Sequence, residues 1–161
     1  MSNYGNRGMW LEHVIERCNR LYKNKGQAVI DKVPTNISYN TRTQKARFKA
    51  KGTVDFIGTL KGGQSVAFDA KNTTTNALKF DNVRPHQEQY LLSVDKLGGK
   101  AFLLIYFQKY EEMYTIDIKD YVNYKSTAER KSIPYSYFAD KEPVQSVNGI
   151  PFDYLRMEET N

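Results

Sequence analysis

The chain predicts a mixed α/β layer fold, a central mixed β-sheet flanked by helices. Three observations predict it. Helical and strand periodicities alternate along the chain instead of segregating into halves. The segment "KAFLLIYF", starting at Lys100, is an apolar run of strand length, the kind that is buried on both faces of a sheet. The segment "VDFIGTLKGGQSVAFDAK", Val54 to Lys71, reads as two strands joined at a glycine turn.

The elements follow in order. Met9 to Tyr22 reads as a helix, because Leu11, Val14, Ile15, Cys18, Leu21 and Tyr22 recur at three- and four-residue steps on one stripe. Gly26 ends it, and "QAVIDKVP" is a short strand stopped by Pro34. Residues Thr35 to Lys51 have no apolar periodicity. They carry Lys45, Arg47, Lys49 and Lys51 at every second position, so in an extended strand the four side chains point the same way. Such a segment has little to bury and projects from the core. After the hairpin, Pro85 and Gly98 bracket a second helix. "KAFLLIYF" is then the central strand, "MYTIDI" its neighbour, and "KDYVNYKSTAERK" a third helix. The tail from Ser132, with Pro134, Pro143 and Pro151, yields no assignment.

Composition bounds the function. A chain of 161 residues suits one domain spanning 1–161, with the basic insertion at about 35–52. The longest apolar run, Ala101 to Phe107, is far too short to cross a bilayer, and the N-terminal "MSNYGNRGMW" lacks the apolar core of a secretory signal. The expected compartment is the cytoplasm, with no membrane partner. One cysteine and two histidines exclude a disulfide framework and a cysteine- or histidine-rich metal cluster. A net charge of +6 favours a polyanionic partner, nucleic acid being the commonest.

The hairpin carries the chemistry. With Lys61-Gly62-Gly63 as the turn, Leu60 pairs with Gln64 and Asp55 falls directly opposite Asp69. Lys71 shares that face, while Val54, Phe56, Phe68 and Ala70 take the other. Like charges directly opposite in a sheet repel. A hard divalent cation, Mg²⁺ or Mn²⁺, removes the conflict, since such ions bind through one or two carboxylates with water and phosphate. An ammonium beside them adds a second electrophilic group. These are the parts of a metal-dependent phosphodiesterase. On spacing alone, a solvated, salt-bridged hairpin face fits equally well.

"TVDFIG" followed by "AFDAK" resembles the PD-(D/E)xK nuclease core, with Asp55 as the first acid and Asp69-Ala70-Lys71 as the second motif. More closely, the ordered set "NRGM", "AVIDKVP", "TVDFIG…FDAKNTT", "HQ" at 86–87 and "FLLIYF" resembles the RecU family of Holliday-junction resolvases. Two positions depart from the pattern. Val54 stands in place of the proline of the superfamily motif, and Asp69 stands where RecU-type sequences commonly carry Glu, one methylene longer. The resemblance implies a restriction-endonuclease-like core, with Asp55 and Asp69 holding Mg²⁺, Lys71 positioning the attacking water, Glu12 completing the metal shell and Gln87 supporting it. Read from the residues alone, Glu12 flanks the apolar stripe as an ordinary solvated carboxylate, Gln87 lies on a helix beside Tyr90, and His86 serves as a phosphate contact or a surface group. The basic insertion resembles the stalk thought to enter the open centre of a four-way junction. That implies phosphate contacts from Lys45, Arg47, Lys49, Lys51 and Arg42, with Arg7 extending the basic surface.

The expectation is a Mg²⁺-dependent endonuclease that resolves four-way DNA junctions. It would act as a C2 homodimer, because symmetric cutting needs two sites about a twofold axis; a branch-migration helicase is a candidate partner. Two rival readings are a PD-(D/E)xK endonuclease acting on duplex DNA and a non-catalytic basic DNA-binding protein.

Overall fold

The computed structural model describes residues 4–35, 37–48 and 53–156. The elements run α1 (Tyr4–Asn24), β1 (Ala28–Lys32), β2 (Ile37–Asn40), β3 (Lys45–Phe48), β4 (Phe56–Leu60), β5 (Ser65–Thr73), β6 (Ala77–Lys79), α2 (Pro85–Lys96), β7 (Lys100–Phe107), β8 (Glu112–Asp117), α3 (Ile118–Thr127) and β9 (Ser132–Pro134). A five-stranded sheet has the order β1-β4-β5-β7-β8. β5 and β7 are parallel and joined through α2, and the other neighbours are antiparallel, so the sheet is mixed as expected. No helix among the described residues is long and apolar enough to cross a membrane.

Strand alternation divides the core into two layers. Val66, Phe68, Phe102 and Leu104 face α1 with its stripe of Leu11, Ile15, Cys18 and Tyr22. Ala67, Ala101, Leu103, Ile105 and Phe107 face the other way, among Leu91 of α2 and Tyr121 of α3. β7 is buried along almost its whole length, as its unbroken apolar run requires. In the α1 layer Phe56, Phe68 and Phe102 stack with centroid separations of 4.9 and 4.8 Å. Each such ring pair adds about 0.5–1.5 kcal/mol beyond the area it buries, and the stack lies directly beneath the backbone that carries the two acids.

Four boundaries differ from the sequence reading. α1 starts at Tyr4, five residues before Met9 and ahead of the apolar stripe. α3 stops at Thr127 instead of running to Lys131. Val54 does not share the face of Phe56. The chain bends at Asp55 and the paired strand begins at Phe56, so alternation does not extend back and Val54 packs in the α2–α3 layer. The unassigned tail is a structural closure: β9 pairs with β6, and Val144, Ile150, Tyr154 and Leu155 complete the α1 layer. There Tyr22 donates to Asp153 Oδ1 at 2.7 Å, the Leu155 amide donates to the Tyr22 hydroxyl, and the Tyr154 hydroxyl donates to Asn19.

The basic insertion forms its own antiparallel pair, β2 with β3, in the register Asn40↔Lys45 and Ser38↔Arg47. Its turn is held locally. Asn40 Oδ1 accepts the amides of Arg42 and Thr43 at 3.0 and 3.2 Å, an arrangement the short Asn side chain makes readily.

Candidate active site

The glycine turn sets the register. Gly62 and Gly63 have φ of 92° and 95°, which only glycine adopts without strain, and the Leu60 amide donates to the Gln64 carbonyl across them. Phe56 then pairs with Phe68 and Thr59 with Ser65. This is the register inferred from the sequence, and it brings Asp55 and Asp69 together.

Each acid is bonded to the other's strand. The Asp55 amide donates to Asp69 Oδ1 at 3.0 Å, and the Ala70 amide donates to Asp55 Oδ2 at 2.9 Å. β1 grips the same point from its far side, where the Val33 amide donates to the Asp55 carbonyl at 2.8 Å. Asp69 is fully buried, which a lone carboxylate does not tolerate without partners. Its Oδ1 also accepts from Gln87 Nε2 at 3.1 Å. Its Oδ2 accepts no aligned hydrogen bond; the Lys71 ammonium stands 2.5 Å away as an ion pair.

Gln87 is fixed as tightly as the acids. Its Oε1 accepts the Arg84 amide at 2.9 Å and the Lys71 ammonium at 3.2 Å, so its Nε2 can only face Asp69. The Gln87 amide donates back to the Arg84 carbonyl at 3.0 Å. This reciprocal pairing closes the start of α2, with Pro85 in its first turn. The sequence carried a signal for it, a Gln three residues after the helix boundary that Pro85 marks.

Electrostatics set the pair apart from ordinary carboxylates. Burial, the adjacent Asp69 charge and a carboxyl–carboxyl hydrogen bond push the Asp55 carboxyl up to about 7, against the opposing pull of the Ala70 amide and Lys71. Two hard oxygen donors in conflict, one of them bare of hydrogen bonds, fit a divalent cation. Asp55 and Asp69 are the residues that would hold it.

Other expected site residues make no described bond to this cluster. Glu12, on α1, bonds Lys32 Nζ at 2.7 Å, with both side chains about 40% exposed. Among the described residues no three of His, Cys, Asp and Glu gather closely enough to hold a metal, and the described partner of Glu12 is Lys32. Lys32, which the sequence reading did not single out, is its partner and also feels the charge of Asp55. Tyr90 packs against the α2–α3 core, and His86 makes no described contact with the acids. Arg42 and Lys45 are exposed on the β2–β3 hairpin, Arg47 lies on β3 and Arg7 on α1. Lys49 and Lys51 lie outside the described residues.

Comparison with known proteins gives a concordant picture. The profile of the RecU family, described as Recombination protein U, matches residues 6–159. The Holliday junction resolvase RecU of Oceanobacillus iheyensis is 34% identical over 166 residues, covering 95% of this chain and 82% of that protein. That of Pediococcus pentosaceus is 33% identical over 151 residues, covering 86% of this chain and 75% of its own. Among solved structures, Archaeoglobus fulgidus Hjc, a Holliday junction resolvase, is similar with a TM-score of 0.48 and 13% identity, over 77% of this chain and 88% of that one. A profile match across nearly the whole sequence, with relatives above 30% identity along most of both chains, shows that this chain belongs to the RecU family.

Proposed function

We propose that this chain is an endonuclease that resolves four-way DNA junctions by hydrolysing phosphodiesters in strands related by symmetry. One observation carries the chemistry. Two carboxylates are held face to face, one wholly buried and one with its proton retained to about pH 7, with an ammonium on one oxygen of the buried acid and a carboxamide on the other. A salt-bridged structural hairpin has no need of that conflict.

Asp55 and Asp69 would hold a divalent cation, Mg²⁺ or Mn²⁺, and when bound it supplies charge neutralisation at the phosphate and a water of lowered pKa. Lys71 is the cation of the group. It leans on Asp69 Oδ2 and Gln87 Oε1, and from there it can donate to a phosphate oxygen or orient the attacking water. Gln87 keeps Asp69 aimed by donating to its other oxygen. The stacked rings of Phe56 and Phe68 fix the backbone beneath both acids, so the geometry is set before substrate arrives. Glu12 meets Lys32 through Oε2, and its Oε1 could serve as a further ligand.

The domain is read as single, with the β2–β3 hairpin as the stalk that meets the junction centre through Arg42, Lys45 and Arg47, and with Arg7, Lys49 and Lys51 extending the phosphate contacts. Shape and phosphate placement give selectivity, because such contacts position a protein without reading bases. Two sites about a twofold axis imply a homodimer. The deciding experiment is cleavage of a synthetic mobile four-way junction with and without Mg²⁺, beside the Asp55→Asn protein. Cutting that needs both the cation and Asp55 supports the reading. Equal cutting of linear duplex, or no cation-dependent cutting, removes it.

A further inference from the structure

Three surface clefts among the described residues each sum to one formal positive charge, but they differ in whether carboxylates line them. A cleft of about 290 Å³ between α1 and β1 includes Glu16 and Asp31, and one of about 220 Å³ at the start of β7 includes Asp117 and Asp120. The third, of about 390 Å³, has no carboxylate in its lining. It follows the end of β5 and the loop to β6, bounded by Gly8, Thr73, Thr74, Thr75, Lys79 and Asn82. Thr73 and Thr75 build the loop, each hydroxyl donating to the Ala77 carbonyl at 2.9 Å. That leaves Thr74, Lys79 and Asn82 exposed, with no bond among the described residues drawing their side chains away.

Gly8 is the informative position. It lies inside α1, where glycine is the least favourable residue after proline. It is not among the positive-φ glycines, so no turn requires it. A Cβ built there meets nothing within 4 Å, so no packing inside the protein requires it either. The open space above this helical glycine leaves the α1 backbone bare on that side, so an occupant from outside can approach it closely.

We propose that this groove seats the sugar–phosphate backbone of the DNA beside the bond to be cut, and that Gly8 is side-chain-free to admit it. The inference rests on reading Asp55 and Asp69 as a phosphodiester-cleaving centre. The lining fits that occupant. Hydroxyl and carboxamide groups with one ammonium and no carboxylate are what phosphate oxygens accept from. The position fits as well. Thr74 is three residues beyond Lys71, about 10 Å along an extended strand, and duplex DNA presents a phosphate on each strand about every 3.4 Å of its axis. The groove therefore takes phosphates within about three of the scissile one, and Thr74, Lys79 and Asn82 are positioning residues.

The test uses the full chain and a synthetic four-way junction. Gly8→Ala and Gly8→Leu form a graded obstruction that helix propensity favours, so both should melt at or above the parent temperature. Junction affinity, measured without divalent cation, should fall slightly for Gly8→Ala and at least tenfold for Gly8→Leu. Lys79→Ala should lower the slope of log K against log salt by about one phosphate contact, with Lys79→Arg restoring it. A single methylphosphonate, moved through the three phosphates on either side of the cut, should weaken parent binding at one position. At that position it should have no added effect on Lys79→Ala. Parent-like binding by a folded Gly8→Leu protein, or a methylphosphonate response unchanged in Lys79→Ala, overturns the proposal. If Gly8→Leu fails to fold, the Lys79 arms decide alone. If the parent protein binds but never cuts, the nuclease reading fails, while the Gly8→Leu affinity and the Lys79→Ala salt slope still decide whether the groove seats the DNA.

Discussion

The molecule contains two antiparallel hairpins of opposite character. In the β4–β5 hairpin Asp55, Asp69 and Lys71 are buried or half-buried, each acid is bonded by the other's strand, and an amide from α2 and an ammonium close the cluster. In the β2–β3 hairpin the described cations Arg42 and Lys45 are exposed, and order at its turn comes from one asparagine cap. On the proposed function, the difference teaches how each charge would work. A group that must act on one bond is preorganised in a low-dielectric site, where its charge is felt strongly. A group that must only find a dense polyanion works through the long reach of its field and is best left in water.

The largest break in this comparison is Asp55→Asn. Cleavage should fall by about three orders of magnitude or more, the usual cost of removing an essential group. The metal-free protein should nevertheless be stabilised above pH 7, since the like-charge conflict goes with the carboxylate. Junction cleavage and thermal melting in EDTA measure the two, and a destabilised variant would refute the claim that the pair is in conflict. Lys71→Met comes next. It leaves buried Asp69 without its ammonium, and stability should drop by about 3–5 kcal/mol together with most of the activity, read by chemical denaturation and cleavage.

The third prediction concerns pH. The folded-state value of Asp55 is raised, so its contribution to stability is fully present below the ordinary carboxyl range near 4 and is lost as pH rises to about 7. In EDTA, denaturation should show stability declining across that window by a few kcal/mol. Mg²⁺ should flatten the upper part of the decline, because cation and proton compete for the same oxygens. A decline unaltered by Mg²⁺ would place the cation elsewhere. The smallest effect is expected at the exposed hairpin. Arg42→Gln with Lys45→Gln should leave melting and the cleavage rate at saturating DNA unchanged, while weakening junction binding more than duplex binding. The salt slope should drop by about two contacts. Equal loss for both DNAs would remove the stalk assignment.

Legibility in the sequence followed the same division. Register was readable, because Lys61-Gly62-Gly63 admits one tight pairing and the alternation of Phe56 and Phe68 fixes which face carries the acids. The central strand was readable from its unbroken apolar run. Contacts between distant elements were not. Nothing local ties Glu12 to Lys32, and that bond depends on how α1 is laid across β1. Val54 was misplaced because a bend at Asp55 interrupts a pattern that looks continuous as text. The tail was opaque for a related reason. Its apolar residues, Val144, Ile150, Tyr154 and Leu155, have neither helical nor strand spacing and are recruited singly into a core built by α1.

That recruitment has a consequence in time. Tyr22 and Asp153 are 131 positions apart, and the apolar layer under the β4–β5 hairpin includes Tyr154 and Leu155. During synthesis the hairpin can pair long before these residues emerge, yet its underside stays unsealed until they do. The layer beneath the two acids is therefore complete only after residue 155 has left the ribosome, which ties the finished site to residues far along the chain.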